Sequence, residues 1–76
     1  MVIGLSEYTV NFSWDPDASV WIATSENIPG LVLESGSFDA LIERVRFAVP
    51  ELLELNGLQR GPMLSFHSFR QERIAS

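Results

Sequence analysis

Two carboxylates separated by one residue, Asp15 and Asp17, and a single histidine, His67, are the side chains most suited to chemistry in this sequence. Carboxylate oxygens ligate Mg²⁺ or Ca²⁺. Asp15, Asp17 and Glu34 would be the raw material of a metal-assisted nuclease if they converged on one ion. The run Asp15-Pro16-Asp17 also has a purely structural use. Proline presets φ for the second position of a turn, and aspartate oxygens accept from nearby backbone amides. His67 alternates with Ser65 and Phe69 in an extended pattern, where a lone imidazole reads as a surface or interface residue before a general base. Other chemistries lack their residues. With no cysteine and one histidine, a Cys/His zinc site is excluded. With no lysine there is no GK[ST] phosphate loop, and no glycine-rich dinucleotide fingerprint is present. The chain reads as a non-enzyme, with no catalytic residue, cofactor or metal expected.

The residues suited to binding are of another kind. Phe47 lies off the apolar stripe of a helix, with Glu43 and Glu51 at i±4 and Arg46 beside it. A lone exposed aromatic is ordinary; ringed by charge, it is also what a partner-binding anchor looks like. Glu51 and Glu54, three apart, read as a solvated helix face or as contacts to a common partner. Trp14 and Trp21 suit aromatic anchoring as well as core packing. Glu43, Phe47, Glu51 and Trp21 are the candidate partner-binding residues.

The elements that position them follow from periodicity. From Tyr8 to Trp14, apolar Tyr8, Val10, Phe12 and Trp14 alternate with polar Thr9, Asn11 and Ser13, the pattern of a half-buried strand. After the Asp15–Asp17 turn, a second strand spans about Val20 to Ser25. Val20 and Ile22 lie on one face and Trp21 and Ala23 on the other, so both faces ask for cover. Pro29-Gly30 turns the chain into a short third strand, Leu31 to Ser35. Ser37 is a good helix N-cap, with Asp39 favourable in the first turn. Phe38, Leu41, Ile42, Val45, Ala48, Val49, Leu52 and Leu53 then form one helical stripe. Pro50 falls inside it and predicts a kink, or a stop and restart, near Val49. Asn56-Gly57 ends the helix. Gly61-Pro62 introduces a last strand, Met63 to about Phe69, and the polar end is expected to fray. The fold class is α+β: a single domain over residues 1–76 with its core at about 8–69, ordered β-β-β-α-β, an antiparallel sheet with one helix on one face.

Composition adds a constraint. The chain has 76 residues, 46% of them hydrophobic, and ten acidic side chains against five arginines for a net charge of −5. A chain this short has no room for a Rossmann domain or a barrel enzyme. The acidic balance argues against binding nucleic acid, where basic side chains must neutralise phosphates. No segment has the basic start and apolar run of a signal peptide or the length of a membrane span, so a cytoplasmic protein is expected. One helix covers one face of a four-stranded sheet. An apolar patch is therefore expected on the other face, including either Trp21 or Ile22 and part of Met63, Phe66 and Phe69, and buried in a homodimer or higher oligomer.

The run Trp14 to Leu31, WDPDASVWIATSENIPGL, resembles the hallmark of the HicB-like antitoxin N-terminal domain, in which a WD-type turn leads into a VW-A strand and an IPGL turn. The run Val49 to Gly57, VPELLELNG, is similar to the helix end in a small uncharacterised single-domain branch of that group, a domain of unknown function. The resemblance implies a fold like a partial ribonuclease H domain lacking its catalytic carboxylates, and a homo-oligomer. It further implies an antitoxin-like role, since full HicB antitoxins mask the active site of a small basic ribonuclease toxin. Many of those carry a C-terminal DNA-binding module. None follows the last strand here, so no direct DNA binding is expected. An acidic chain suits a basic protein partner, because complementary charge steers association. The alternative is an orphan homo-oligomeric domain with no toxin partner.

Overall fold

A computed structural model describes residues 7–57 and 63–74 of the chain. Its elements are β1 (Glu7–Asp15), β2 (Val20–Thr24), β3 (Val32–Ser35), α1 (Phe38–Leu55) and β4 (Met63–Phe69). The order β-β-β-α-β is the expected one, and the domain is α+β. The expected entry into β4 at Gly61-Pro62 lies outside the described residues.

The four strands form one sheet in the order β3-β2-β1-β4. The first three make the expected antiparallel meander, with Trp14 opposite Trp21, Phe12 opposite Ala23, and Ala23 opposite Leu33. The last strand departs from the antiparallel expectation: β4 runs parallel to β1, with Tyr8 beside Leu64 and Val10 beside Phe66, and the sheet is mixed. The reason is the connection. A hairpin reverses the chain, but a long helix carries it back to the end where the preceding strand began, so the next strand is parallel to that one. β3 already runs parallel to β1, because both are antiparallel to β2.

The pairings fix the faces. Tyr8, Val10 and Phe12 of β1 and Ala23 of β2 face α1 and are buried with Ile28, Leu31 and the helix residues Leu41, Val45, Val49 and Leu53. Phe38, Ile42, Ala48 and Leu52 pack against this core, so the whole predicted stripe is used. Ser37 caps the helix, its Oγ accepting from the Ala40 amide at 3.2 Å. Asn56 closes the other end, its Nδ2 donating to the Leu52 carbonyl at 2.8 Å. The helix runs unbroken for 18 residues through Pro50, so there is no stop and restart. Pro50 is solvent-exposed.

The turns are built from the residues that suggested them. Asp15 Oδ1 accepts from the Asp17 and Ala18 amides at 3.0 and 3.3 Å. Gly30 has φ +86° at the third position of the turn Ile28–Leu31, whose ends are joined by the Leu31 amide on the Ile28 carbonyl. A type II turn needs a positive φ there, which glycine supplies without a Cβ penalty.

The face away from the helix carries residues of the expected set, but not as one continuous patch. It carries Ile22, not Trp21, and Met63 and Phe69, not Phe66. Its middle strand, β1, contributes the polar side chains Thr9, Asn11 and Ser13, which separate Val20, Ile22 and Val32 on one flank from Met63 and Phe69 on the other. Alternation in β1 makes its outward side polar, and β1 occupies an inner place in the sheet.

Candidate functional site

The outer face of α1 holds the candidate binding residues. Helical spacing of four stacks Glu43, Phe47 and Glu51 along one ridge. The apolar stripe beneath them is pinned to the sheet, so the ridge must face solvent. Phe47 is 79% exposed. It borders a shallow, open depression of about 270 Å³ lined by Leu33, Arg44, Phe47, Ala48 and Glu51. Two contacts are made by charged side chains of the same helix. Arg46 Nη1 pairs with Glu43 Oε1 at 2.7 Å, and Arg44 Nη1 donates to the Glu34 carbonyl at 2.8 Å. Arg46 is thus paired along the helix, while Arg44 and Glu51 line the hollow with the phenyl ring. The arrangement is an exposed aromatic side chain with charged neighbours.

Trp21 does not join that group. It lies under the N-terminal end of α1, its ring 4.8 Å from Phe38 and 5.6 Å from Trp14, centroid to centroid. Phe12 continues the cluster at 5.1 Å from Phe38 and 5.5 Å from Phe66, all edge-to-face. Phe38 and Phe47 are nine residues apart, about 13 Å along a helix axis. Trp21 is therefore a half-buried packing residue at the other end of the helix. Sequence reasoning gave no role to Arg70, whose guanidinium carbon stands 4.2 Å from the Trp14 ring centroid and 5.8 Å from that of Trp21. Register explains it: Ser13 pairs with Phe69, so the next residue falls beside Trp14 on the helix side.

The residues weighed for chemistry are dispersed. Asp15 is engaged in its turn, Glu34 is exposed on β3, and His67 is exposed on the helix-free face of β4 beside Asn11. Among the described residues no group of three His, Asp or Glu side chains is placed to hold a metal ion. Part of the motif between Trp14 and Leu31 closes its own loop. The Ser25 hydroxyl donates to Asn27 Oδ1 at 2.9 Å and accepts from the Asn27 and Ile28 amides, and Asn27 Oδ1 in turn accepts from the Thr9 amide of β1 at 3.2 Å. This network closes the loop and plugs Ile28 and Leu31 into the core. Among the described residues no helix is long and apolar enough to cross a membrane.

A family model described as "Domain of unknown function (DUF1902)" matches residues 7–75, nearly the whole chain and all five elements. The chain belongs to the DUF1902 family. A search of solved structures finds the hypothetical protein TTHA1013 from the extremely thermophilic bacterium Thermus thermophilus. It is 30% identical, with a TM-score of 0.71 over 92% of this chain and 99% of that one. No curated protein matches. The family description assigns no function to the DUF1902 domain, so its reading rests on the helix ridge and the sheet edges.

Proposed function

We propose that this DUF1902 domain is a non-catalytic protein-binding module that holds a small basic protein against the outer face of α1, in the manner of an antitoxin masking a small basic ribonuclease. Phe47 carries the reading: a phenylalanine 79% exposed between Glu43 and Glu51, on a helix whose opposite stripe is locked into the core. An aromatic side chain has few rotatable bonds to immobilise on docking, and hot spots are characteristically aromatic anchors ringed by other contacts. The net charge of −5 favours a basic partner by steering its approach. The resemblance of residues 14–31 and 49–57 to HicB-like antitoxins supports a ribonuclease toxin as that partner. The domain then works in the cytoplasm by occlusion, without cofactor or metal and without touching DNA.

A second reading is an orphan homo-oligomer with no toxin partner. Exposed Met63 and Phe69 on β4 favour it.

Co-expression with a small basic ribonuclease of the toxin class, encoded beside the gene where one is found there, tests the first reading. The expected result is a stable complex in which ribonuclease activity is lost. Phe47→Asp should weaken the complex by at least about tenfold while leaving thermal unfolding unchanged. Charge reversal at Glu43 or Glu51 should slow association and flatten its salt dependence. A ribonuclease that stays fully active beside an excess of folded domain overturns the reading.

A further inference from the structure

The two edges of the sheet are treated differently. β3 is four residues long, carries Glu34, and has the Glu34 carbonyl occupied by Arg44. These are the devices by which proteins blunt an edge against pairing with another chain. β4 is seven residues long, Met63 to Phe69, and contains no charged side chain and no proline. The helix packs over β3 and β2 and leaves β4 at the flank. Met63, Phe66 and Phe69 are 55, 40 and 62% exposed. Among the described residues no strand pairs with the outer side of β4, and an apolar edge of this length is a template for another strand.

The strand is also complementary to itself. Placed antiparallel to a second β4 about a two-fold axis at Phe66, it sets Met63 opposite the partner's Phe69 and Ser65 opposite the partner's His67 on the helix-free face. On the helix face Leu64 meets the partner's Ser68, and the two Phe66 rings meet beside Phe12. Apolar side chains face apolar ones, and polar face polar, on the open side. β4 itself carries no charged side chain, so no like charges of the two strands oppose each other across the axis; the neighbouring carboxylate, Glu7 of β1, accepts from Ser65 Oγ at 2.7 Å. We infer that β4 is the self-association edge of this domain, pairing antiparallel with β4 of a second copy into a continuous eight-stranded sheet with both helices on one face.

The inference rests on the homo-oligomer reading above and leaves the Phe47 ridge free. Phe69→Glu should raise the dimer dissociation constant by at least about tenfold, and adding Met63→Lys should restore it to within about threefold, since the two new charges face each other across the axis. Val32→Glu, at the other edge, should change it by less than about threefold. The chain has no cysteine, so Phe66→Cys should link to its own copy under mild oxidation. Strand-paired Cα atoms stand about 4.5–5.5 Å apart, within disulfide reach. Because Phe66 touches the core, an equimolar mixture of Ser65→Cys and His67→Cys chains serves as the second measurement. It should give the mixed dimer in excess over either homodimer. A wild-type chain that sediments as a monomer up to about 100 µM overturns both the inference and the homo-oligomer reading. A dimer that Phe69→Glu leaves intact, or that yields no mixed Ser65→Cys/His67→Cys product, overturns the β4 assignment alone.

Discussion

Arg44 Nη1 donates to the main-chain carbonyl of Glu34 at 2.8 Å, so a helix side chain closes the edge of the strand that precedes the helix. The contact spans ten residues of sequence and two elements. It is exposed, and an exposed charged hydrogen bond stabilises by roughly 1 kcal/mol or less. Its larger effect is on what can pair with β3.

Arg44→Ala should therefore cost at most about 1 kcal/mol in unfolding free energy. It should also add a second association mode, because the freed carbonyl beside Val32 becomes available to another strand. Sedimentation velocity at rising concentration checks this. Species larger than those of the wild type are expected, and identical profiles would remove the blocking role from Arg44.

Arg70 on Trp14 makes a second long-range tie. The guanidinium covers an indole face at 4.2 Å and is held there by Glu72, 2.7 Å away. Arg70→Ala should cost about 0.5–1 kcal/mol, the worth of a partly exposed cation–π contact. Glu72→Ala should cost less, since the ion pair is solvated. Trp14 and Trp21 are the sole tryptophans, so their fluorescence reads the change directly. A shifted emission maximum for Arg70→Ala and none for Glu72→Ala is the expected pattern.

Local signals made most of the fold readable. Alternation from Tyr8 to Trp14 marked β1, and the stripe from Phe38 to Leu53 with Ser37 before it marked α1. Each depends on residues within a few positions of one another. Three features depend on pairing instead. The direction of β4 follows from the helical crossover, and the hairpin rhythm of the first three strands misleads there. The polar strip on the helix-free face requires knowing that β1 is an inner strand, so that Thr9, Asn11 and Ser13 divide the apolar flanks. The place of Trp21 requires its register with Trp14. The site divides the same way. Glu43, Phe47 and Glu51 were legible as an i, i+4 ridge, whereas Arg44 on Glu34 and Arg70 on Trp14 join residues that no local pattern connects.

Gly30 supplies a test of the loop that anchors the motif. It combines φ +86° with close packing, since a Cβ there would stand 3.3 Å from Leu52 Cδ2. Gly30→Ala should lose about 1–2 kcal/mol from left-handed strain, with a small addition if Leu52 cannot give way. Gly57→Ala is the matched control, with φ +66° and no atom of the described residues within 4 Å of the added methyl, so its cost should be strain alone. Urea unfolding of the pair separates the terms: equal losses would mean that Leu52 yields freely, and no loss at Gly30 would contradict the turn geometry.

Pro50 is where local propensity and the observed helix disagree most. It lacks the amide that would bond to the Arg46 carbonyl, and an interior proline costs a helix about 3 kcal/mol relative to alanine. The stripe on either side of it outweighs that cost: Val49 and Leu53 are both buried, so stopping at Pro50 would strand Leu52 and Leu53 in solvent. Since the Pro50 ring is exposed, replacing it removes no core packing. Pro50→Ala should then restore one hydrogen bond and stabilise the domain by about 1–3 kcal/mol, part of the gain being offset by the freer unfolded chain. For a domain of this size each kcal/mol moves Tm by about 4–8 °C, so calorimetry resolves the change easily. An unchanged or lowered Tm would mean that the ring makes contacts in the assembled protein, and would place Pro50, one turn from Phe47 on the same exposed side, within a binding surface.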